Sequence, residues 1–227
     1  MSDKNQRLRL RVGNGLPSSL LIIIEIFAII IGVMLGFLVN EWRENRNNQK
    51  IVENALGSIA AEFQYNHQRM VETFEYYHGF VLAIDSLNQA GEPVREMYGY
   101  EVDNWRGAMP PMLRSSSYQM TLTTGIFKDM DFETANTLAF IYNLQSILEK
   151  LDDSSINRFS TDSGFTALPT IRHLFGLYVE IIPSVIGTYQ KYGIPLLEEY
   201  GYKLELDEGP LKTEAERQIE YLDLSDY

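Results

Sequence analysis

Glu75 and His78 stand three residues apart, a spacing at which one helix turns a carboxylate and an imidazole to the same face, as a metal site requires. Helical di-iron sites use this E-x-x-H unit in pairs. The two other histidines, His67 and His173, have Gln64 and Thr170 three positions ahead of them. A single unit cannot complete such a site, so the pair reads as an exposed or capped histidine. Ser115, Ser116 and Ser117 offer hydroxyls, but no G-x-S-x-G turn surrounds them. They read as helix-start residues whose hydroxyls cap backbone amides. Phosphate loops of the G-x-x-x-x-G-K-S/T or G-x-G-x-x-G kind do not occur. Glu62, Glu72, Glu75 and Asp85 are scattered along one helical stretch and read as its solvated face. With no cysteine, disulfides and thiolate metal sites are excluded, and a net charge of −12 argues against nucleic acid. No residue is assigned a catalytic, cofactor-binding or metal role, and the chain is read as non-enzymatic.

One carboxylate stands apart from these. Glu25 lies inside the run Leu20 to Val39, twenty residues in which it is the one charge. At ~1.5 Å per residue such a helix covers the ~30 Å hydrocarbon core of a bilayer. Pro17 is suited to start it, and Trp42, just beyond Asn40 and Glu41, suits the membrane-water interface. The run is longer than the apolar core of a signal peptide, and a charged helix rather than a small-residue cleavage site follows it. At ~100° per residue, Glu25, Ala28, Gly32 and Gly36 fall within an arc of about 80°. Gly32 and Gly36 make a G-x-x-x-G pair, which lets two helices approach closely. This face predicts packing against a second copy of the chain or another membrane protein, with Glu25 turned from lipid. The alternative is that Glu25, near the edge of the run, reaches water directly. Lys4, Arg7, Arg9 and Arg11 precede the run, against Arg43, Arg46 and Lys50 soon after it. The positive-inside rule then predicts a cytoplasmic N-terminus and a large domain outside.

The elements beyond the anchor are helical throughout. Val52, Leu56, Ile59, Phe63, Met70, Tyr77, Val81, Ile84 and Leu87 recur in steps of three, four and seven, one stripe on a long helix. Asn66 and Thr73 occupy positions on that stripe, so the helix is expected to pack into its own domain rather than form a strict coiled coil. Gly91, Pro93, Gly99, Gly107, Pro110 and Pro111 predict a long loop over 91–111, with Tyr98, Tyr100 and Trp105 covering the bundle. A short helix is predicted from Met112 to Thr124, stopped by Gly125, and Asp131 is placed to cap the next. Its stripe is Leu138, Ile141, Gln145, Leu148 and Leu151. After a hydroxyl-rich joint, Ser160 to Thr166, the last long segment carries Ile171, Leu174, Phe175, Tyr178, Ile182, Val185 and Tyr189. Pro183 is expected to kink or restart it, and Gly193 with Pro195 to break it before a short piece near Leu196 to Tyr200. The run Leu177 to Ile186 is too short for a second crossing and holds Glu180 and Pro183. From residue 198 onward, ten Asp or Glu face three Lys or Arg, which reads as a solvated tail.

The predicted organisation is a basic cytoplasmic tail over 1–17, a transmembrane helix over 18–40, a helical extracytoplasmic domain over 41–200 and an acidic tail over 201–227. The fold class is all-α: the membrane helix continues into a long helix, with a three- or four-helix bundle-like domain. Glu25-Ile26, Gly32 seven residues after the glutamate, and Asn40-Glu41-Trp42 resemble the N-terminal signature of an uncharacterised bacterial family of single-pass membrane proteins. That signature is a G-E-x-L-L-V-x-x-G-I anchor followed by N-x-W. Ser117-Tyr118-Gln119 leading to Thr124-Gly125-Ile126 is similar to a second stretch of that family, S-x-Y-x-x-L-x-x-S-G-x-L. The chain departs from the pattern at Ile24, where the family has glycine, and at Thr121, where it has leucine. The resemblance implies topology in the bacterial inner membrane and no reaction. Two functions are consistent with these residues: a non-enzymatic interaction or assembly protein of the envelope, or a ligand-sensing bundle that signals through a partner membrane protein.

Overall fold

A computed structural model describes residues 18–161 and 167–204. The basic leader, most of the joint at 160–166 and residues 205–227 of the acidic tail lie outside the described residues. The described residues are mainly helical, and their one β-type pairing is an isolated bridge between Tyr98 and Ala167. The first helix, α1, runs unbroken over Ser18–Gln89. It carries both the apolar run and the stripe that follows, as the absence of any Pro or Gly pair between Asn40 and Gly57 predicts. The chain divides into two compact units inside α1, Met1–Asn47 and Asn48–Tyr227.

In the first unit, every residue from Ile22 to Asn47 is exposed. This stretch is long and apolar enough to cross a membrane, and it is the one such helix among the described residues. The second unit is a bundle of α1 from Asn48 onward, α3 (Phe132–Thr161) and α4 (Leu168–Thr188), with two short helices, α2 (Ser116–Thr123) and α5 (Ile194–Glu199). The three stripes expected from spacing meet in one core. Leu56, Ile59, Phe63, Met70, Tyr77 and Ile84 of α1 are buried with Leu138, Ile141 and Leu148 of α3. Ile171, Phe175, Tyr178, Ile182 and Val185 of α4 complete it. Tyr77 stacks on Phe175 with ring centroids 3.8 Å apart, and Tyr178 meets Tyr77 edge-on at 5.0 Å.

Two boundaries differ from the expectation. α4 passes through Pro183 without restarting, and the interruption comes later, as a π-helical turn over Tyr189–Gly193. There the extra residue lets Tyr189 stack on Phe63 at 4.3 Å, and Gly193 is required because a Cβ would come 2.5 Å from the Phe63 ring. α2 is shorter than Met112 to Thr124, since residues up to Ser115 are irregular rather than helical. Its end is as predicted: Gly125 takes φ +75°, the left-handed conformation that closes a helix. Asp131 caps α3 through its carboxylate, which accepts the Thr134 N–H at 2.8 Å. The 91–111 loop covers the bundle through Trp105, 5.2 Å from Phe80, while Tyr98 and Tyr100 stack on each other and stay exposed.

Candidate functional site

The residues singled out in the apolar run all lie on α1. Glu25, Ala28, Gly32 and Gly36 are exposed along it, and a Cβ added at either glycine would meet nothing within 4 Å. Among the described residues of its unit, none covers this face. Trp42 is 62% exposed, with the Arg46 guanidinium 5.4 Å from its ring centroid. The structure therefore leaves the whole face free to meet lipid or another helix.

The second unit contains a constellation that sequence reasoning did not assemble. Between Arg106 and Ser115 the chain is an irregular strap lying along α1, with left-handed residues at Gly107 and Met112. A segment without regular secondary structure brought against a bundle needs partners for its amides and carbonyls, and the described residues include no strand to supply them. Side chains of α1 do so instead. Tyr76 accepts the Arg106 N–H at 2.9 Å and donates to the Gly107 carbonyl at 3.0 Å. The Tyr77 hydroxyl accepts the Met109 N–H at 2.9 Å, and Thr73 donates to the Met109 carbonyl at 3.4 Å. Arg69 donates to the Pro111 carbonyl at 3.4 Å. Asn66 then grips Arg114 from both sides, accepting its N–H at 2.8 Å and donating to its carbonyl at 2.7 Å. Glu62 receives the Ser117 N–H at 2.8 Å and the Ser116 hydroxyl at 3.2 Å, at the start of α2. Residues 62, 66, 69, 73 and 76 follow the three-and-four spacing of one helical face, so the ladder is a direct product of α-helical geometry.

The bundle side of the strap is equally specific. Gln145 of α3 donates to the Arg114 carbonyl at 2.9 Å and accepts a bond from the Tyr189 hydroxyl. Tyr142 donates to Glu62 at 2.5 Å. Burial, with the Glu62 charge beside it, pushes the Tyr142 hydroxyl far above its ordinary range, so it is a fixed donor. Asp152 of α3 accepts the Met112 N–H at 3.3 Å and the Tyr178 hydroxyl at 2.9 Å. Among the described residues, no buried side-chain nitrogen or oxygen lacks a partner.

This arrangement corrects one expectation. Glu62 is 4% exposed, not part of a solvated face, because it faces the Ser116–Ser117 turn and Tyr142. It also replaces the predicted serine cap: Ser115 makes no side-chain cap, and the Glu62 carboxylate holds the first turn of α2 from across the groove. Glu72 and Glu75 are exposed as expected, with Glu72 paired to Arg69 at 2.6 Å. His78 is exposed and stacks on Phe74 at 5.3 Å. No group of three or more His, Asp or Glu among the described residues is placed to hold a metal. One open cleft of about 380 Å³ lies between α1 and the strap, lined by Arg69, Glu72, Glu75, Tyr76 and Arg106.

The polar ladder was detectable in part. Asn66 and Thr73 interrupted the apolar stripe, but their shared partner is a strap about forty residues further on, beyond the reach of periodicity. Comparison of the chain with protein families, with curated proteins and with solved structures gives no match.

Proposed function

We propose that this chain is a single-pass membrane-anchored protein of the bacterial inner membrane whose helical domain has a non-enzymatic interaction or assembly role. The observation that carries this reading is the exposed surface of α1. Fourteen large apolar side chains between Ile22 and Val39 are each 48–71% exposed. Leaving them in water instead of an apolar phase costs on the order of 20 kcal/mol, more than the 5–15 kcal/mol that stabilises a typical domain. A lipid bilayer removes that cost. Glu25, Ala28, Gly32 and Gly36 then form the face through which the helix packs on a second copy or on another membrane protein. Trp42 sits at the interface, the N-terminus is cytoplasmic and the bundle is extracytoplasmic. The resemblance to the single-pass bacterial family agrees with this topology.

Buried polar side chains of α1, Glu62, Asn66 and Thr73, are engaged with the strap and with α3, so they serve the fold. The test has two arms. Vesicles carrying the full-length chain are extracted with alkaline carbonate, and the protein is expected to stay with the membrane; its release would refute the anchor. Single cysteines at Gly32 or Gly36 are then expected to crosslink into a defined dimer or a defined heteromer, and in the chain without those cysteines replacing both glycines with leucine is expected to weaken assembly; unchanged assembly would refute the packing face. Unchanged crosslinking from lipid-facing control positions such as Ile30 would refute the packing face.

A further inference from the structure

Asp152 belongs to none of the features used above to explain the anchor. It is 5% exposed on α3 and is hydrogen-bonded to two other parts of the fold. One carboxylate oxygen accepts the Tyr178 hydroxyl of α4 at 2.9 Å, and the other accepts the Met112 N–H of the strap at 3.3 Å. Met112 is held there at φ +49°, a left-handed conformation that costs a non-glycine residue about 1–2 kcal/mol. Among the described residues, the titratable groups that act on this carboxylate bring no positive charge. From α1 comes the Tyr77 hydroxyl, already bonded to the Met109 N–H, and from α4 the Tyr178 hydroxyl. Its own helix adds the carboxylates of Glu149 and Asp153, and the strap adds a backbone amide. His173 of α4 lines a neighbouring cleft with Ser155. A buried carboxylate with carboxylates nearby and no cation beside it favours its neutral form.

The hydrogen bonds around it accommodate that form. The Tyr178 hydroxyl also lies 3.2 Å from the Ser155 Oγ. When Asp152 takes up a proton on the oxygen facing Tyr178, that new O–H donates to the tyrosine oxygen. The tyrosine proton turns to Ser155, whose own proton is already donated to the Leu151 carbonyl at 2.6 Å. The other carboxyl oxygen keeps the Met112 N–H. Every group is satisfied with the proton and without it. Only the ionised state carries the cost of a buried charge.

We propose that Asp152, Tyr178 and Ser155 form a proton-binding site that tightens the junction of the strap with α3 and α4 as the surroundings acidify. Burial is the main cause that raises the Asp152 carboxyl, to about 6. Because the folded value exceeds the unfolded one, the folded state binds the proton first, and stability rises as pH falls through 6 toward 4. Between pH 7.5 and pH 5, Asp152 should lower the unfolding constant about tenfold.

The experiment uses the full chain in detergent micelles. Denaturant unfolding is compared at the two pH values for the wild type and Asp152→Asn, so that other titrating groups cancel. The expected result is a pH response about tenfold smaller in Asp152→Asn. Equal responses overturn the proposal. Carbon-13 titration of the side-chain carboxyls provides a readout that does not depend on that variant folding. The Asp152 resonance is identified by its loss in Asp152→Asn or its displacement in Ser155→Ala, and its midpoint should exceed about 5. Ser155→Ala removes the second acceptor for the tyrosine proton and should lower the midpoint. A wild-type midpoint at or below about 5, or one that Ser155→Ala leaves unmoved, overturns the proposal.

Discussion

Replacing Glu62 with alanine tests whether the groove between α1 and the strap is held by its polar ladder. The carboxylate accepts three bonds: Tyr142 at 2.5 Å, the Ser117 N–H at 2.8 Å and the Ser116 hydroxyl at 3.2 Å. Hydrogen bonds to a charged group are worth about 1.5–3 kcal/mol each, and a buried donor left without a partner costs about 1–3 kcal/mol. The Ser117 amide and the Tyr142 hydroxyl would both lose their partner. Removing a buried charge offsets part of the loss. The net expectation is a destabilisation of about 2–4 kcal/mol, with α2 loosened first because its opening turn loses the cap. Glu75→Ala is the control, since Glu75 is exposed on the same helix, and should fall within about 0.5 kcal/mol of wild type. Urea unfolding followed by Trp105 fluorescence in a Trp42→Phe background reads the bundle alone, because the chain has two tryptophans and only Trp105 packs on Phe80. A double-mutant cycle with Tyr142→Phe should give a coupling of at least about 1 kcal/mol. If Glu62→Ala costs under about 1 kcal/mol, or no more than Glu75→Ala, the ladder does not hold the strap.

Two further perturbations probe other parts of the fold. Gly193→Ala should destabilise by about 1–3 kcal/mol, because the new methyl would stand 2.5 Å from the Phe63 ring and 3.2 Å from Ile141. Gly176→Ala, with nothing within 4 Å of its Cβ, should not, and equal effects in denaturant unfolding would count against the π-turn packing. Asp131→Ala should cost about 1 kcal/mol through loss of the α3 cap. Its hydrogen bonds with Thr134, then that with Tyr200, hold the Asp131 carboxyl down at about 2. Its contribution is therefore full above about pH 4 and is lost as pH falls toward 2, the opposite sign to Asp152. A variant whose acid unfolding curve overlays the wild type over that range would refute the cap.

The elements governed by local spacing were legible in the residues. The all-α class, the unbroken α1, the three apolar stripes, the Gly125 stop and the Asp131 cap all depend on neighbours within a turn or two, where periodicity and backbone preference act. What escaped depends on contacts distant in sequence. Glu62 looked like Glu72 and Glu75 because all are glutamates on one helix. Only the return of the chain 54 to 80 residues later, through Ser116, Ser117 and Tyr142, makes the first of them a buried acceptor. Pro183 was expected to break α4, yet the helix continues, and the chain opens instead at Tyr189–Gly193, where Phe63 needs room. The face of Glu25, Ala28, Gly32 and Gly36 is legible as a pattern, while the partner proposed for it lies outside the chain, where periodicity carries no information.

The polar interruptions in the α1 stripe have a physical logic of their own. A helix whose stripe faces only other helices is best served by apolar residues, since every helical amide is already paired along its own axis. A strap with proline at 110 and 111 cannot be helical there and cannot join a sheet that the bundle lacks, so its remaining polar backbone groups must be met by side chains. The facing helix must then place donors and acceptors at three- and four-residue steps, as residues 62, 66, 69, 73 and 76 do. Each such position gives up apolar burial worth about 1.5–3 kcal/mol, and the exchange is favourable only while the strap stays in place to be bonded. The same residues that fix the strap would be costly without it. The strap and α1 should accordingly form and unfold as one cooperative unit, with the Arg114 amide protected from hydrogen exchange as long as the core of α1 is.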